Sequence, residues 1–132
     1  MTHPAQAAQV HWRAVIWIDH MTAKIFAMGL TGVSASTVRA HLSSSHLHHH
    51  SNAIGSGHVE QDPAFLSAIA KAVEACNDFL ILGPGIEKAT LMHYLQSSRP
   101  ELTLHLESSD HPTDEEIIAI GRKHFNLAEP RA

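Results

Sequence analysis

The 132-residue sequence holds a single cysteine, Cys76. One thiol excludes an internal disulfide and cannot supply a cysteine-rich zinc cluster. Cys76 falls in a helical apolar pattern, so a small buried hydrophobe is expected there rather than a reactive thiol. Long apolar runs are also missing, and none reaches the roughly 20 residues that a bilayer-spanning helix needs. The opening MTHPAQAAQV has neither a basic start nor an apolar core segment. No signal peptide is therefore expected, and the reading is a cytoplasmic protein with no membrane partner. Charge is scarce too, at 17% of residues against 44% apolar, the balance of a soluble globular domain. By length the chain is one domain, 1–132.

What charge there is lies unevenly. Residues 1–59 carry three basic side chains against one acidic, whereas residues 60–132 carry six basic against twelve acidic. Nine of the 13 histidines fall in the first part, which can become strongly cationic near the unperturbed histidine pKa of about 6.5. The acidic remainder argues against broad nucleic-acid wrapping and leaves a local contact through the first half.

The pattern predicts an α/β fold in the order β-β-β-α-β-α-β-α. WRAVIWID (12–19) is rich in β-branched and aromatic residues and reads as a strand buried on both faces. AKIFAMG (23–29) is its hairpin partner, and STVRAHL (36–42) is a third strand after the Gly32 turn. Asp62-Pro63 pairs an N-cap acid with proline at the first helical position, ahead of Phe65, Leu66, Ile69, Val73 and Cys76 at helical spacing. DFLILG (78–83) is a short apolar strand, and Leu91, Met92 and Leu95 mark a second helix closed by Arg99-Pro100. LTLHLES (102–108) alternates like a strand. Thr113 and Glu116 then form a capping box before Ile117, Ile118, Gly121 and Phe125. A meander followed by alternating strands and helices yields a mixed sheet with helices on both faces.

Residues 43–61 interrupt this order with SHLHHHSNAIGSGH and no sustained apolar period. Structureless loops beyond about 12–15 residues are uncommon in compact domains unless they are functional or disordered. Three readings stand side by side: a polar mobile loop, an arm that faces RNA, and a metal site. His46, His48, His49, His50 and His58 supply enough imidazoles for zinc or nickel, but adjacent histidines on one segment hold metal loosely. Gly55-Ser56-Gly57-His58 permits close approach of the backbone to a partner, and equally makes a turn before a helix.

Other motifs are weaker. Gly83-Pro84-Gly85 lacks the longer phosphate-loop pattern, so a strand-to-helix turn is expected, with Lys88 a solvated charge. Asp19 ends the first strand, where ribonuclease-H-like nucleases carry a metal-binding acid. Those enzymes need several converging carboxylates, and the FLIL strand contributes none. Asp19 is therefore expected to cap the hairpin turn. No serine has a nucleophile-elbow pattern.

WRAVIWIDHMTAKIF, the long loop with its glycine motif, and FLILGPGIEKATLMHYL together resemble the central domain of archaeal and eukaryotic class-1 peptide-chain release factors and of Pelota. VIWIDH, HHH, IGSGH, GPG and DHPTDEEIIAIGRKHF resemble, as a set, small bacterial release-factor-like proteins of the translational machinery. The resemblance covers about residues 12–126. It implies a three-layer α/β/α, ribonuclease-H-like fold without nuclease activity. In class-1 release factors the loop between third strand and first helix carries Gly-Gly-Gln and helps water cleave peptidyl-tRNA in the ribosome. The matching place here holds Gly55, Ser56, Gly57 and His58, with glutamine absent. Pelota lacks the motif and acts in ribosome rescue without that hydrolysis.

The leading expectation is thus a non-enzymatic, translation-associated protein acting in rescue, stalling or dormancy. Its partners would be the ribosome, rRNA or tRNA, met through His46, His48, His49, His50, Ser51, Asn52, Gly55, Ser56, Gly57 and His58. Lys24 and Arg39 would be supporting contacts, and no cofactor is required. One alternative is a peptidyl-tRNA hydrolase in which His58 positions water. The other is a zinc- or nickel-binding protein using the five loop histidines. Self-association as a homodimer is compatible with a lone small domain, though no segment marks an interface.

Overall fold

A computed structural model describes residues 12–29, 32–40 and 62–127. The apolar run RAVIWI forms β1 (Arg13–Ile18), with every residue after Arg13 buried. It turns through Asp19–Met21 into β2 (Thr22–Met28), antiparallel in the register Ile16↔Ile25. β3 (Val33–Arg39) pairs antiparallel with β2, with Val33 opposite Met28 and Arg39 opposite Thr22.

This third strand begins three residues earlier than the sequence suggests. The Gly29 N–H donates to the Gly32 carbonyl at 3.1 Å, closing the turn and setting the register at once. Ser34, Ala35, Ser36 and Thr37 are exposed, so the apolar alternation that normally marks a strand is absent. Residues 41 and 42, expected in the strand, lie outside the described residues.

Asp62 caps α1 (Pro63–Ala72) by accepting from the Ala64 N–H at 3.0 Å. The helix stops before Val73 and Cys76, both expected within it. The Val73 N–H reaches back to Ile69 and Ala70, and a turn follows. Cys76 is nevertheless buried, because it packs in the core with Ile69, Val73 and Phe79 as the chain enters β4 (Asp78–Gly83). β4 runs parallel to β1, with Ile16 opposite Ile81. α2 (Glu87–Ser98) leads to β5 (Thr103–Ser108), parallel to β4. α3 (Asp114–Phe125) closes the order with the expected capping box and ends on Asn126, left-handed at φ 58°. Asparagine tolerates that region better than most side chains.

The five-stranded sheet has the order β3-β2-β1-β4-β5, with β1 at its centre. Alternate residues of the central strands feed two cores. Ala14, Ile16, Ile18, Ile25, Phe79 and Ile81 pack with Phe65 and Ile69 of α1 and Leu91 and Leu95 of α2. Val15, Trp17, Phe26, Met28, Leu80 and Leu82 pack with Ile117 and Phe125 of α3. This is the three-layer α/β/α arrangement expected. Each fully buried leucine, isoleucine or phenylalanine contributes about 1.5–3 kcal/mol, so the two faces of β1 and β4 anchor the fold. At Gly121 an added Cβ would meet Val15 Cγ1 at 2.8 Å and Met28 Cε at 2.6 Å, so this glycine lets α3 lie close against the sheet.

Candidate functional site

Four strands, β1, β3, β4 and β5, share one direction, and β2 starts where they finish. One end of the sheet therefore gathers the Asp19–Met21 turn, the exit from β3, the Gly83–Gly85 turn and the chain leading into α3. α1 begins there too, because it runs back to the start of β4. In open α/β sheets, ligands bind at this carboxyl end.

Both roots of the histidine- and glycine-rich segment are fixed at this end. The Ala40 N–H donates to the Met21 carbonyl at 2.7 Å, tying the end of β3 to the hairpin turn. The return is held by Asp62, whose backbone carbonyl accepts from Phe65 and Leu66 while its side chain caps α1. α1 packs against β3. His46, His48, His49, His50, Ser51, Asn52, Gly55, Ser56, Gly57 and His58 lie outside the described residues.

The two supporting cations are described. Arg39 is exposed at the root of the segment, opposite Thr22. Lys24 lies on the same face of the sheet, diagonally placed, and its Nζ is 2.9 Å from Asp114 Oδ1. That pair clips the start of α3 to β2. Both partners are partly exposed, so the pair is worth about 0–1 kcal/mol and exchanges readily for another anion.

Asp19 does what a hairpin cap requires. Its Oδ1 accepts from the N–H groups of Met21 at 2.9 Å and Thr22 at 2.8 Å. Its Oδ2 stands 4.0 Å from His111 Nε2. The Trp17 indole N–H donates to the Asp110 carbonyl at 2.8 Å, and its ring lies 5.1 Å from that of His111. The chain between β5 and α3 is thereby pinned to β1. This contact was not anticipated from the sequence, although Asp110-His111-Pro112-Thr113 stood out as a motif. Among the described residues no three histidine, cysteine or carboxylate side chains converge to hold a metal.

The Gly83–Gly85 turn is structural. A Cβ on Gly83 would overlap the Ile18 carbonyl oxygen, so only glycine lets β4 approach β1 there. The Gly83 carbonyl accepts from the Ser109 N–H at 3.1 Å. Lys88, expected as a solvated charge, is half-buried and donates from Nζ to the Gly85 carbonyl at 2.6 Å. Its first-turn position in α2 brings the ammonium back over the turn. Burial pushes the Cys76 thiol up to about 11, with Arg99 acting weakly the other way, so it is an inert core group.

No protein-family model matches the sequence, and no curated protein does. Solved structures do. The Pelota protein of Thermoplasma acidophilum superposes with a TM-score of 0.58 at 17% identity, covering 88% of this chain and 33% of that one. Pelota of Archaeoglobus fulgidus gives 0.59 at 14% identity, covering 91% and 33%. Dom34 of S. cerevisiae, described as a translation termination-like factor involved in RNA quality control pathways, gives 0.56 at 9% identity, covering 89% and 35%. The chain thus has the fold of about one third of Pelota, and the resemblance drawn from the sequence holds at the level of fold.

Proposed function

We propose that this chain is a translation-associated protein that binds the ribosome or tRNA through residues 43–61, in rescue, stalling or dormancy. One observation carries the reading: the fold shared with Pelota over nearly the whole chain. The histidine- and glycine-rich segment leaves this fold between the third strand and the first helix, where the release-factor resemblance puts the functional arm. Arg39 at its root supplies a fixed positive charge for a phosphate, and Lys24 supplies a second when it releases Asp114.

Co-sedimentation of the purified chain with ribosomes on a sucrose gradient tests it. The expected result is association that deletion of residues 46–58 removes and that Gly57→Pro weakens, with chelator making no difference. No association under any condition would reduce the likeness to a shared fold. The same preparation decides the alternatives. Peptidyl-tRNA turnover that His58→Ala removes would make the chain a hydrolase, and zinc or nickel retained through dialysis at neutral pH would make it a metal-binding protein.

A further inference from the structure

The acidic half of the chain builds a groove of its own. It runs between β5, the last strand on its side of the sheet, and α3. Two adjoining cavities form it. The first, about 540 Å³, has Pro112, Ala119 and Ile120 as apolar wall and Ser109 at one side. The second, about 390 Å³, shares Ile120 and adds Lys123 and His124. His105 of β5 meets His124 edge to face at 4.9 Å and so joins strand to helix beneath them.

The rim is negative. Asp110 and Glu116 line the first cavity and Glu107 the second, whereas Lys123 is the one fixed cation among the lining residues of the two. Lys24, which reaches the start of α3, is paired there with Asp114. Glu116 Oε1 accepts from the Thr113 N–H in the capping box. The Ser109 Oγ is buried and has no hydrogen-bond partner among the described residues, although its backbone is held by Gly83.

Apolar walls and a carboxylate rim match the side chain of lysine or arginine, which buries its stem and keeps its head among acceptors. We propose that this groove docks an extended basic segment of a protein partner. One lysine or arginine lies along Pro112, Ala119 and Ile120, and its head group reaches Asp110 and Glu116. An RNA strand is disfavoured because the same carboxylates repel its phosphates. The inference uses no residue of 43–61 and stands whether or not the ribosome reading does.

The test is a titration of the isotope-labelled full chain, followed by amide chemical shifts, with a capped peptide of alternating arginine and valine. A matched glutamate–valine peptide and a single-stranded oligouridine serve as comparisons. The arginine peptide is expected to shift residues 107–120. Ala119→Arg, at an exposed position of α3, is expected to weaken binding about tenfold, as loss of a charge-assisted contact does, with an unchanged circular dichroism spectrum. Should that variant not fold, Glu107→Gln with Asp110→Asn, both exposed, is expected to weaken binding in the same direction. No shifts, equal shifts with the glutamate peptide, shifts spread over the whole acidic surface, or oligouridine moving the same residues would each overturn the proposal.

Discussion

The two edge strands of the sheet, β3 and β5, are both largely exposed, yet they differ in chemistry. β3 is serine- and threonine-rich, ends on exposed Arg39, and leads into the histidine- and glycine-rich segment. β5 faces α3 across a groove rimmed by carboxylates. Between them lie β2, β1 and β4, which hold most of the buried residues. A rigid apolar centre thus carries two polar edges of different composition. Edge strands tolerate such specialisation because one backbone side is unpaired and polar side chains there also discourage edge-to-edge aggregation.

If the centre serves both edges, damaging it removes both at once. Gly83→Ala forces a Cβ into the Ile18 carbonyl, a backbone atom that cannot step aside. Destabilisation of about 3 kcal/mol or more is expected from such overpacking, read by urea denaturation. A loss under about 1 kcal/mol would show that β1 and β4 separate more easily than their register implies.

Damage to one edge should stay there. Thr113→Ala removes the capping box of α3 and is expected to cost about 1 kcal/mol. Hydrogen exchange should quicken in the first turn of α3 and stay unchanged in α1. Equal quickening in both helices would mean that the two faces unfold as one unit.

The bridge between β2 and α3 is weaker still. Lys24→Ala breaks the bridge to Asp114 and is expected to change stability by less than about 1 kcal/mol, an effect that vanishes in high salt. If Lys24 also contacts phosphate, this variant lowers ribosome co-sedimentation out of proportion to its small effect on stability.

Near neutral pH the smallest effect concerns Cys76. Its folded pKa of about 11 lies above the ordinary thiol value because the group is buried, so the fold favours the neutral thiol. That contribution is complete below about pH 9 and fades as pH rises from there toward about 11. Thiol labelling near pH 8 is expected to be slow in the native protein and immediate in denaturant. Rapid native labelling would place Cys76 at an opening rather than in the core.

Much of this fold was legible in the chain itself. The run Ala14–Ile18 and the run Phe79–Leu82 are apolar at successive positions, which only a strand covered on both faces accommodates. Asp62-Pro63 and Thr113 with Glu116 announce their helices because capping is local, satisfied within four residues. The segment at 43–61 was visible as a break in period. These signals depend on neighbours along the sequence, so the sequence alone determined them.

Tertiary structure decided the rest. β3 has no apolar alternation, and its start was set by a glycine turn and by pairing with β2. The glycine at position 83 gains its meaning from Ile18, more than 60 positions earlier in the chain. The pinning of His111 and Asp110 to Trp17 and Asp19 joins residues some 90 positions apart. The groove between β5 and α3 exists only once an edge strand and a helix from the opposite layer are brought together. Charge along the chain marks the second half as acidic; only the packing of α3 on the sheet turns that charge into a surface with a shape.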